Sequence, residues 1–399
     1  MYITPCIITH FFAYVHSWLV YVRIIHGDIM KVAGIVVEYN PLHNGHLYHI
    51  QKTKEITGCD VLVAVMSGHF VQRGEPALVD KWQRTEAALK NGVDLVIELP
   101  YLWCTQSAQQ FADGSVALLN LAQVDTMVFG SESNNLEELQ EIADLSTKAD
   151  YLKEILATGE GFPKAYGLWT QAMEPNDILG VAYLKALKET SITPMTIQRT
   201  THYHDDELSN ICSATALRKA ALNNEDTKHA TPMELKGPFV TLKQFYPYIR
   251  MLLLSLSTEY LNSLFLFSEG IENHLRENAQ NCDTFEEFMN RSITKRYTRA
   301  RIQRTLCQLI NQVTKKEVKD LSPLTSLRVL GFNEKGQQYL KHLREQEVDV
   351  ASSFAQMPAS LRKMELKATT MYTSFMSVEE RNRLLKREIA HPIRIKAGN

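Results

Sequence analysis

The sequence predicts an α/β fold: a parallel β-sheet covered by helices on both faces, followed by a mostly α-helical segment. Three observations carry this. Short, largely apolar runs recur at residues 32–37, 60–66, 94–99 and 125–129, with a more polar fifth strand candidate at 193–199, and such runs mark strands buried on both faces. Helix-compatible stretches separate them, the alternation that builds a parallel sheet. After about residue 231 glycine becomes sparse and helical patterns take over, at 248–266 and 285–289 for example.

The first strand, 32–37, runs into the turn His43-Asn44-Gly45-His46, which opens a polar helix over 47–57. Residues 60–66 form a second strand. A long polar, glycine-punctuated loop follows it, Ser67-Gly68-His69-Phe70-Val71-Gln72-Arg73-Gly74-Glu75-Pro76, in the place of a substrate loop. Asp80 caps a helix to about Asn91, with Gly92 as its stop. The third strand, 94–99, closes at Pro100. A helix spans 106–121, and the fourth strand ends at Gly130-Ser131-Glu132. Helices near 136–145 and 178–188, a fifth strand at 193–199 and a helix over 213–222 complete the sheet region. The expected organisation is an extension outside the fold (1–29), a catalytic domain (30–230) and a helical domain (231–399).

A chain of 399 residues suits two domains. The net charge of −2 leaves no strong overall field, so a nucleic-acid surface has to be a local patch. The six cysteines (Cys6, Cys59, Cys104, Cys212, Cys282, Cys307) are scattered without a C-x-x-C pair. This argues against a zinc ribbon or a disulfide framework and fits a reducing, cytoplasmic setting. Residues 6–25 are apolar but interrupted by Thr9, His10, His16, Ser17 and Arg23, borderline for the roughly 20 apolar residues of a spanning helix. Met30-Lys31 stands directly before the first strand, so the first 29 residues read as an extension rather than a membrane anchor.

In parallel sheets ligands bind at the carboxyl ends of strands. The His43-Asn44-Gly45-His46 turn lies there, with Glu38-Tyr39-Asn40, Ser67-Gly68-His69, Leu99-Pro100 and Gly130-Ser131-Glu132 expected beside it. Gly45 admits a close ligand, the helix start offers free N–H groups, and two imidazoles add donors for an anion. A plain turn with two solvated histidines fits the same four residues; the position after a strand favours the ligand reading. Ser213-Ala214-Thr215-Ala216-Leu217-Arg218 is by itself an ordinary serine cap, and beside the histidine turn it reads as an anion site. Lys81 and Arg84 share a helical face that either meets a phosphate or carboxylate or is solvated. Arg291, Lys295, Arg296, Arg299, Arg301 and Arg304, around Tyr297, form a basic run without acids, continued by Lys315, Lys316 and Lys319. It is either a nucleic-acid footprint or a solvated helix face. No P-loop is present, Gly159-Glu160-Gly161 lacks the preceding strand of a dinucleotide fingerprint, and no set of metal ligands stands out.

The histidine turn, together with the Ser213–Arg218 motif, resembles the nucleotidylyltransferase superfamily, although Cys212 interrupts the usual Ile-Ser-x-Thr-x-x-Arg spacing after Ile211. The longer text is more specific. Val36-Val37-Glu38-Tyr39-Asn40-Pro41-Leu42-His43-Asn44-Gly45-His46, the 67–76 loop, Pro175-Asn176-Asp177-Ile178-Leu179-Gly180 and Thr294-Lys295-Arg296-Tyr297-Thr298-Arg299-Ala300-Arg301 together resemble the bacterial tRNA(Met) cytidine acetate ligase (TmcAL) family from Met30 to the C-terminus.

The resemblance implies a Rossmann-like nucleotidyltransferase domain, with ATP and acetate reacting to acetyl-adenylate and the acetyl group passing to N4 of a wobble cytidine in elongator tRNA(Met). It implies His43 and His46 as catalytic donors to the α-phosphoryl oxygens. Gly34 to Asn40 and Gly130 would line the adenosine pocket, and Arg218 with Ser213 and Thr215 would meet the β- and γ-phosphates. The nucleotide set is then Val36, Val37, Glu38, Tyr39, Asn40, Pro41, Asn44, Gly45, Leu47, His49, Gly130, Asn176, Arg199, Ser213, Thr215 and Arg218. Lys295, Arg296, Arg299, Arg301 and Arg304 would hold the tRNA, and Lys81, Arg84 or Gln72 would orient the acetate or the tRNA. Mg2+ is compatible with the ATP chemistry, but no dedicated carboxylate pair is visible. Nothing in the sequence sets an oligomeric state. Two alternatives are a small-molecule adenylyltransferase of the same fold and a non-catalytic tRNA-binding module.

Overall fold

The computed structural model describes residues 30–145, 173–199 and 213–396. The extension 1–29, Gly159-Glu160-Gly161 and Ile211-Cys212 lie outside the described residues. The first part contains β1 (Val32–Val37), α1 (Asn44–Thr57), β2 (Val61–Ser67), β3 (Phe70–Val71), β4 (Glu75–Pro76), α2 (Lys81–Lys90) and β5 (Leu95–Leu99). It continues with α3 (Tyr101–Cys104), α4 (Ala108–Leu121), β6 (Thr126–Ser131), α5 (Leu136–Leu145), α6 (Pro175–Leu187), β7 (Thr193–Gln198) and α7 (Ala214–Leu222). Then come α8 (Tyr246–Ser255), α9 (Thr258–Ser263), α10 (Ile271–Gln280), α11 (Phe285–Ser292), α12 (Arg299–Ile310) and α13 (Lys315–Lys319). Last are β8 (Leu327–Phe332), α14 (Glu334–Glu345), β9 (Val350–Ala351), α15 (Ala359–Tyr372), α16 (Val378–Glu388) and β10 (Ile393–Arg394).

The sheet order is β10-β8-β5-β2-β1-β6-β7, with β9 beside β8. The five strands read from the sequence are parallel neighbours, β5-β2-β1-β6-β7. Every residue of β2 and β5 is buried. Alternate side chains serve opposite faces, as strand geometry requires: Leu62, Ala64 and Met66 join one core with Ile50 and Trp82, while Val61, Val63 and Val65 join the other with Phe111, Leu184 and Tyr339. The chain leaves β1 for β2 and β5 on one side, then crosses to β6 and β7 on the other. That reversal opens a crevice beyond the carboxyl ends of β1 and β6. Gly34 sits mid-strand, where an added Cβ would lie 2.6 Å from Leu119 Cδ2; it seats α4 on the sheet and does not line the crevice, contrary to the expectation for an adenosine pocket.

Two features differ from the sequence reading. The 67–76 loop is a closed β3–β4 hairpin, with Phe70 paired to Pro76 and Val71 to Glu75. The chain after 231 is helical between Tyr246 and Lys319 but then returns to the sheet, because β8 pairs antiparallel with β5 and β10 pairs with β8. Leu327 to Phe332 is a short apolar run, and periodicity alone does not separate such a run from buried helix.

A buried ionic cluster joins these late elements to the early ones. Lys81 Nζ lies 2.6 Å from Glu98 on β5 and 2.9 Å from Glu388 at the end of α16. Arg328 on β8 lies 2.5 Å from Glu98 and 2.8 Å from Glu388. Burial tends to raise the Glu388 carboxyl, but Arg328 and Lys81 hold it well below the usual range. Glu365 goes the other way, raised by burial and by the charge of Glu98. Arg84 is also fully buried and donates to the carbonyls of Glu38, Ser67, Gly68 and Val79. Lys81 and Arg84 are thus internal struts rather than a substrate-facing pair: the opposing carboxylates and strand-end carbonyls lie within the protein. Among the described residues no helix is long and apolar enough to cross a membrane.

Candidate active site

The His43-Asn44-Gly45-His46 turn is the start of α1. His43 is its N-cap in extended conformation. Its Nδ1 accepts the Gly45 N–H at 3.1 Å, and His46 Nδ1 accepts the His43 N–H at 3.2 Å. This is a capping box made by two imidazoles in place of the usual hydroxyl and carboxylate. The rings lie 3.8 Å apart, centroid to centroid, and Tyr39 packs edge-on against His46 at 5.0 Å. Because both Nδ1 atoms accept, the proton of each neutral ring sits on Nε2, so each ring has one donor left. Burial, then Arg199 and Arg218, lowers His43 to about 4. Burial and the neighbouring His43 lower His46 well below its ordinary value. Both rings are therefore neutral donors at neutral pH.

They open on a cavity of about 450 Å3 at the β1–β6 crevice. Of the expected nucleotide residues, Val36, Val37, Glu38, Tyr39, Asn40, Gly45, His49, Gly130, Asn176, Arg199, Ser213, Thr215 and Arg218 line it with the two histidines. Pro41, Asn44 and Leu47 do not: the Asn44 side chain donates to the His229 carbonyl at 2.8 Å, and Leu47 packs on the core. Arg218 donates to the Asn40 carbonyl at 2.9 Å and to Thr215 Oγ1 at 3.2 Å, and lies 3.5 Å from Glu75. Arg199 donates to Asn176 Oδ1 at 3.2 Å, and Glu132 receives the Asn176 N–H at the start of α6. His49 Nε2 bonds the Val128 carbonyl at 3.2 Å, tying α1 to β6. Ser213 caps α7 through the Ala216 N–H at 3.1 Å. The site thus has neutral donors at one wall and, at the others, the guanidinium groups of Arg199 just after β7 and Arg218 on α7, together with Arg73 and Arg304.

The basic run divides. Arg304 on α12 lines the cavity, and burial lowers it to about 10. Arg301 pairs with Glu269 at 2.9 Å, and Arg296 approaches the same carboxylate at 3.6 Å, with both guanidinium groups over Tyr297. Lys295 and Arg299 are exposed. Gln72, Arg73 and Glu75, from the loop read as a substrate loop, line the cavity, and so do Phe111 and Tyr183, which the sequence reading did not name. Phe111 and Tyr183 lie in ordinary amphipathic helices and carry no sequence signal of a site. A wider depression of about 740 Å3, lined by Trp82, Arg383 and Arg387, lies on α2 and α16, away from the histidines. Among the described residues no group of three His, Cys, Asp or Glu side chains is placed to hold a metal ion.

The family profile described as HIGH Nucleotidyl Transferase matches residues 30–388. The tRNA(Met) cytidine acetate ligase of Geobacillus sp. (strain WCH70) is 38% identical over 91% of this chain and 99% of its own length. The chain belongs to the tRNA(Met) cytidine acetate ligase (TmcAL) family of HIGH nucleotidyl transferases. Another TmcAL family member, from Caldicellulosiruptor saccharolyticus, is 40% identical over 92% of this chain and 99% of that protein. Thermotoga maritima TmcAL in its apo crystal form superposes with a TM-score of 0.81 at 32% identity, covering 92% of this chain and all of that one. The crystal structure of the same protein bound with alpha-thio ATP superposes with a TM-score of 0.80.

Proposed function

We propose that this protein is an ATP-dependent ligase that joins acetate to N4 of the wobble cytidine of elongator tRNA(Met) through acetyl-adenylate. The observation that carries the reading is the imidazole capping box, whose two Nε2–H donors open on the β1–β6 crevice, in a chain whose relatives bear that ligase name. In the first step an acetate oxygen attacks the α-phosphorus of ATP and pyrophosphate leaves. Negative charge builds on the phosphoryl oxygens, and His43 and His46 donate to them. Donors held in place before reaction need no reorganisation as the charge develops. Arg218, with Ser213 and Thr215 beside it, receives the β- and γ-phosphates; Arg199 and Asn176 hold the nucleotide from the β6–β7 side. Mg2+ is compatible with this chemistry, as an ion bound through the ATP phosphates and few protein groups.

In the second step the cytidine enters unstacked, which a single-stranded anticodon loop makes easy. Lys295, Arg296 and Arg299 grip the backbone, which sets register rather than sequence, beside Arg301 on Glu269, while Arg304 stands inside the cavity. The test is mass spectrometry of nucleosides from unmodified elongator tRNA(Met) incubated with protein, ATP and acetate. N4-acetylcytidine that requires all three supports the ligase. ATP turnover on a different acid, without the modified nucleoside, would replace it with a small-molecule adenylyltransferase.

A further inference from the structure

The transfer step needs a group that takes a proton, and the histidines are not available for it. Both Nδ1 atoms of the capping box already accept backbone N–H groups, and both Nε2 atoms carry protons. His49 donates through Nε2 to the Val128 carbonyl at 3.2 Å, which leaves Nδ1 as its acceptor, but burial lowers the ring to about 4 and makes it a weak base. Glu75 Oε1 is shared by Asn40 Nδ2 and Arg218, each at 3.5 Å. Glu38 is different. It follows β1 directly, five residues before the His43 cap, and lines the same cavity. Its Oε1 accepts the Gln72 N–H from the hairpin at 2.8 Å, and its carbonyl is held by Arg84 at 2.6 Å. The carboxylate is therefore fixed through one oxygen, and Oε2 remains as its acceptor.

We propose that Glu38 is the proton acceptor of the acetyl-transfer half-reaction, a role that rests on the ligase reading above. The N4 electron pair forms the N–C bond to the acetyl carbon. The bond from that carbon to the AMP phosphate oxygen breaks, and its electron pair leaves with AMP. One N4 proton passes to Glu38 Oε2 and from there to water. The charged surroundings suit a base. Arg73 on the hairpin and Arg218 on α7 favour the carboxylate, Glu75 opposes it, and Arg84 from α2 and Tyr183 from α6 also face it. Burial outweighs the rest and raises the Glu38 carboxyl above the usual range, toward the working pH at which a general base is most effective.

The experiment measures two half-reactions in wild type, Glu38→Gln and Glu38→Asp: acetate-dependent ATP–pyrophosphate exchange without tRNA, and single-turnover acetyl transfer to tRNA across pH. Glu38→Gln should slow transfer about 10²-fold or more beyond any loss of exchange, the scale of general-base catalysis. The wild-type transfer rate should rise with pH to a plateau as Glu38 ionises. Glu38→Gln should lose that rising limb, and Glu38→Asp should keep it at a reduced rate. Equal loss in both half-reactions, or a rising limb that survives in Glu38→Gln, overturns the proposal. Absence of acetate-dependent exchange in wild type refutes the ligase reading itself, and the proton role with it.

Discussion

Lys81→Met tests the claim that the late strands and helices are locked to the early sheet by buried charge. The ammonium is fully buried, 2.6 Å from Glu98 and 2.9 Å from Glu388, with Arg328 as the second cation against the same two carboxylates. Methionine fills most of the lysine stem, so little cavity forms and the change is mainly electrostatic. It leaves two buried carboxylates against one guanidinium. Breaking a buried pair from one side costs about 3–5 kcal/mol, because the abandoned charge stays desolvated. At roughly 2.1 cal/mol/K per residue, the unfolding entropy of this chain is about 0.8 kcal/mol/K, so the melting temperature should fall by about 4–6 °C. Scanning calorimetry with guanidinium titration reads both quantities. The double variant Lys81→Met, Glu98→Gln removes the surplus charge and should recover much of the loss, since neighbouring substitutions are not additive. A Lys81→Met loss below about 1 kcal/mol, or a double variant that shows the sum of two full losses, would refute the account, given the 3–5 kcal/mol scale of such pairs.

Other predictions concern the site and its pH response. His46→Ala removes one transition-state donor and should reduce acetate-dependent pyrophosphate exchange by roughly 10²–10³-fold; near-wild-type exchange would remove His46 from the mechanism. Arg296→Ala with Arg299→Ala should weaken tRNA binding far more than exchange, and should lower the salt slope of binding by about one for each phosphate no longer neutralised; equal loss in both assays would contradict a tRNA role. His43 and His49 are lowered to about 4 and His46 also lies well below 6.5. As pH falls through 6.5 the unfolded chain takes up these protons while the folded chain does not. The stability is therefore complete above pH 6.5 and declines toward pH 4, by up to about 1.4 kcal/mol per pH unit for each histidine. Denaturation midpoints that stay level between pH 7 and 5 would show that these rings are not held neutral.

Four of the five parallel strands were legible because each is a short, largely apolar run bounded by turn residues, and β2 and β5 are buried on both faces as that pattern requires; β7 is more polar and mostly partly exposed, and its place followed from the alternation of elements. The histidine turn was legible because its position after β1 placed it at a strand carboxyl end. Lys81 and Arg84 were not: three-residue spacing on a helix is the same for a solvated pair, a phosphate clamp and a buried strut. The side of the helix that meets Glu98, Glu388 and the strand-end carbonyls is set by packing across long sequence separations. Glu388, which closes that cluster, lies 307 residues from Lys81.

The sequence by itself therefore determined the order of strands and helices up to about residue 222, the family, and the residues of the β1 turn, because each of these is written in local pattern or contiguous motif. Only the tertiary structure decided that Leu327–Phe332 joins the sheet beside Leu95–Leu99, that Arg304 reaches the nucleotide cavity while Arg301 is taken up by Glu269, and that the Gln72 N–H pins Glu38. These are contacts between segments far apart in the chain. They depend on which faces bury together, and no local spacing encodes that choice.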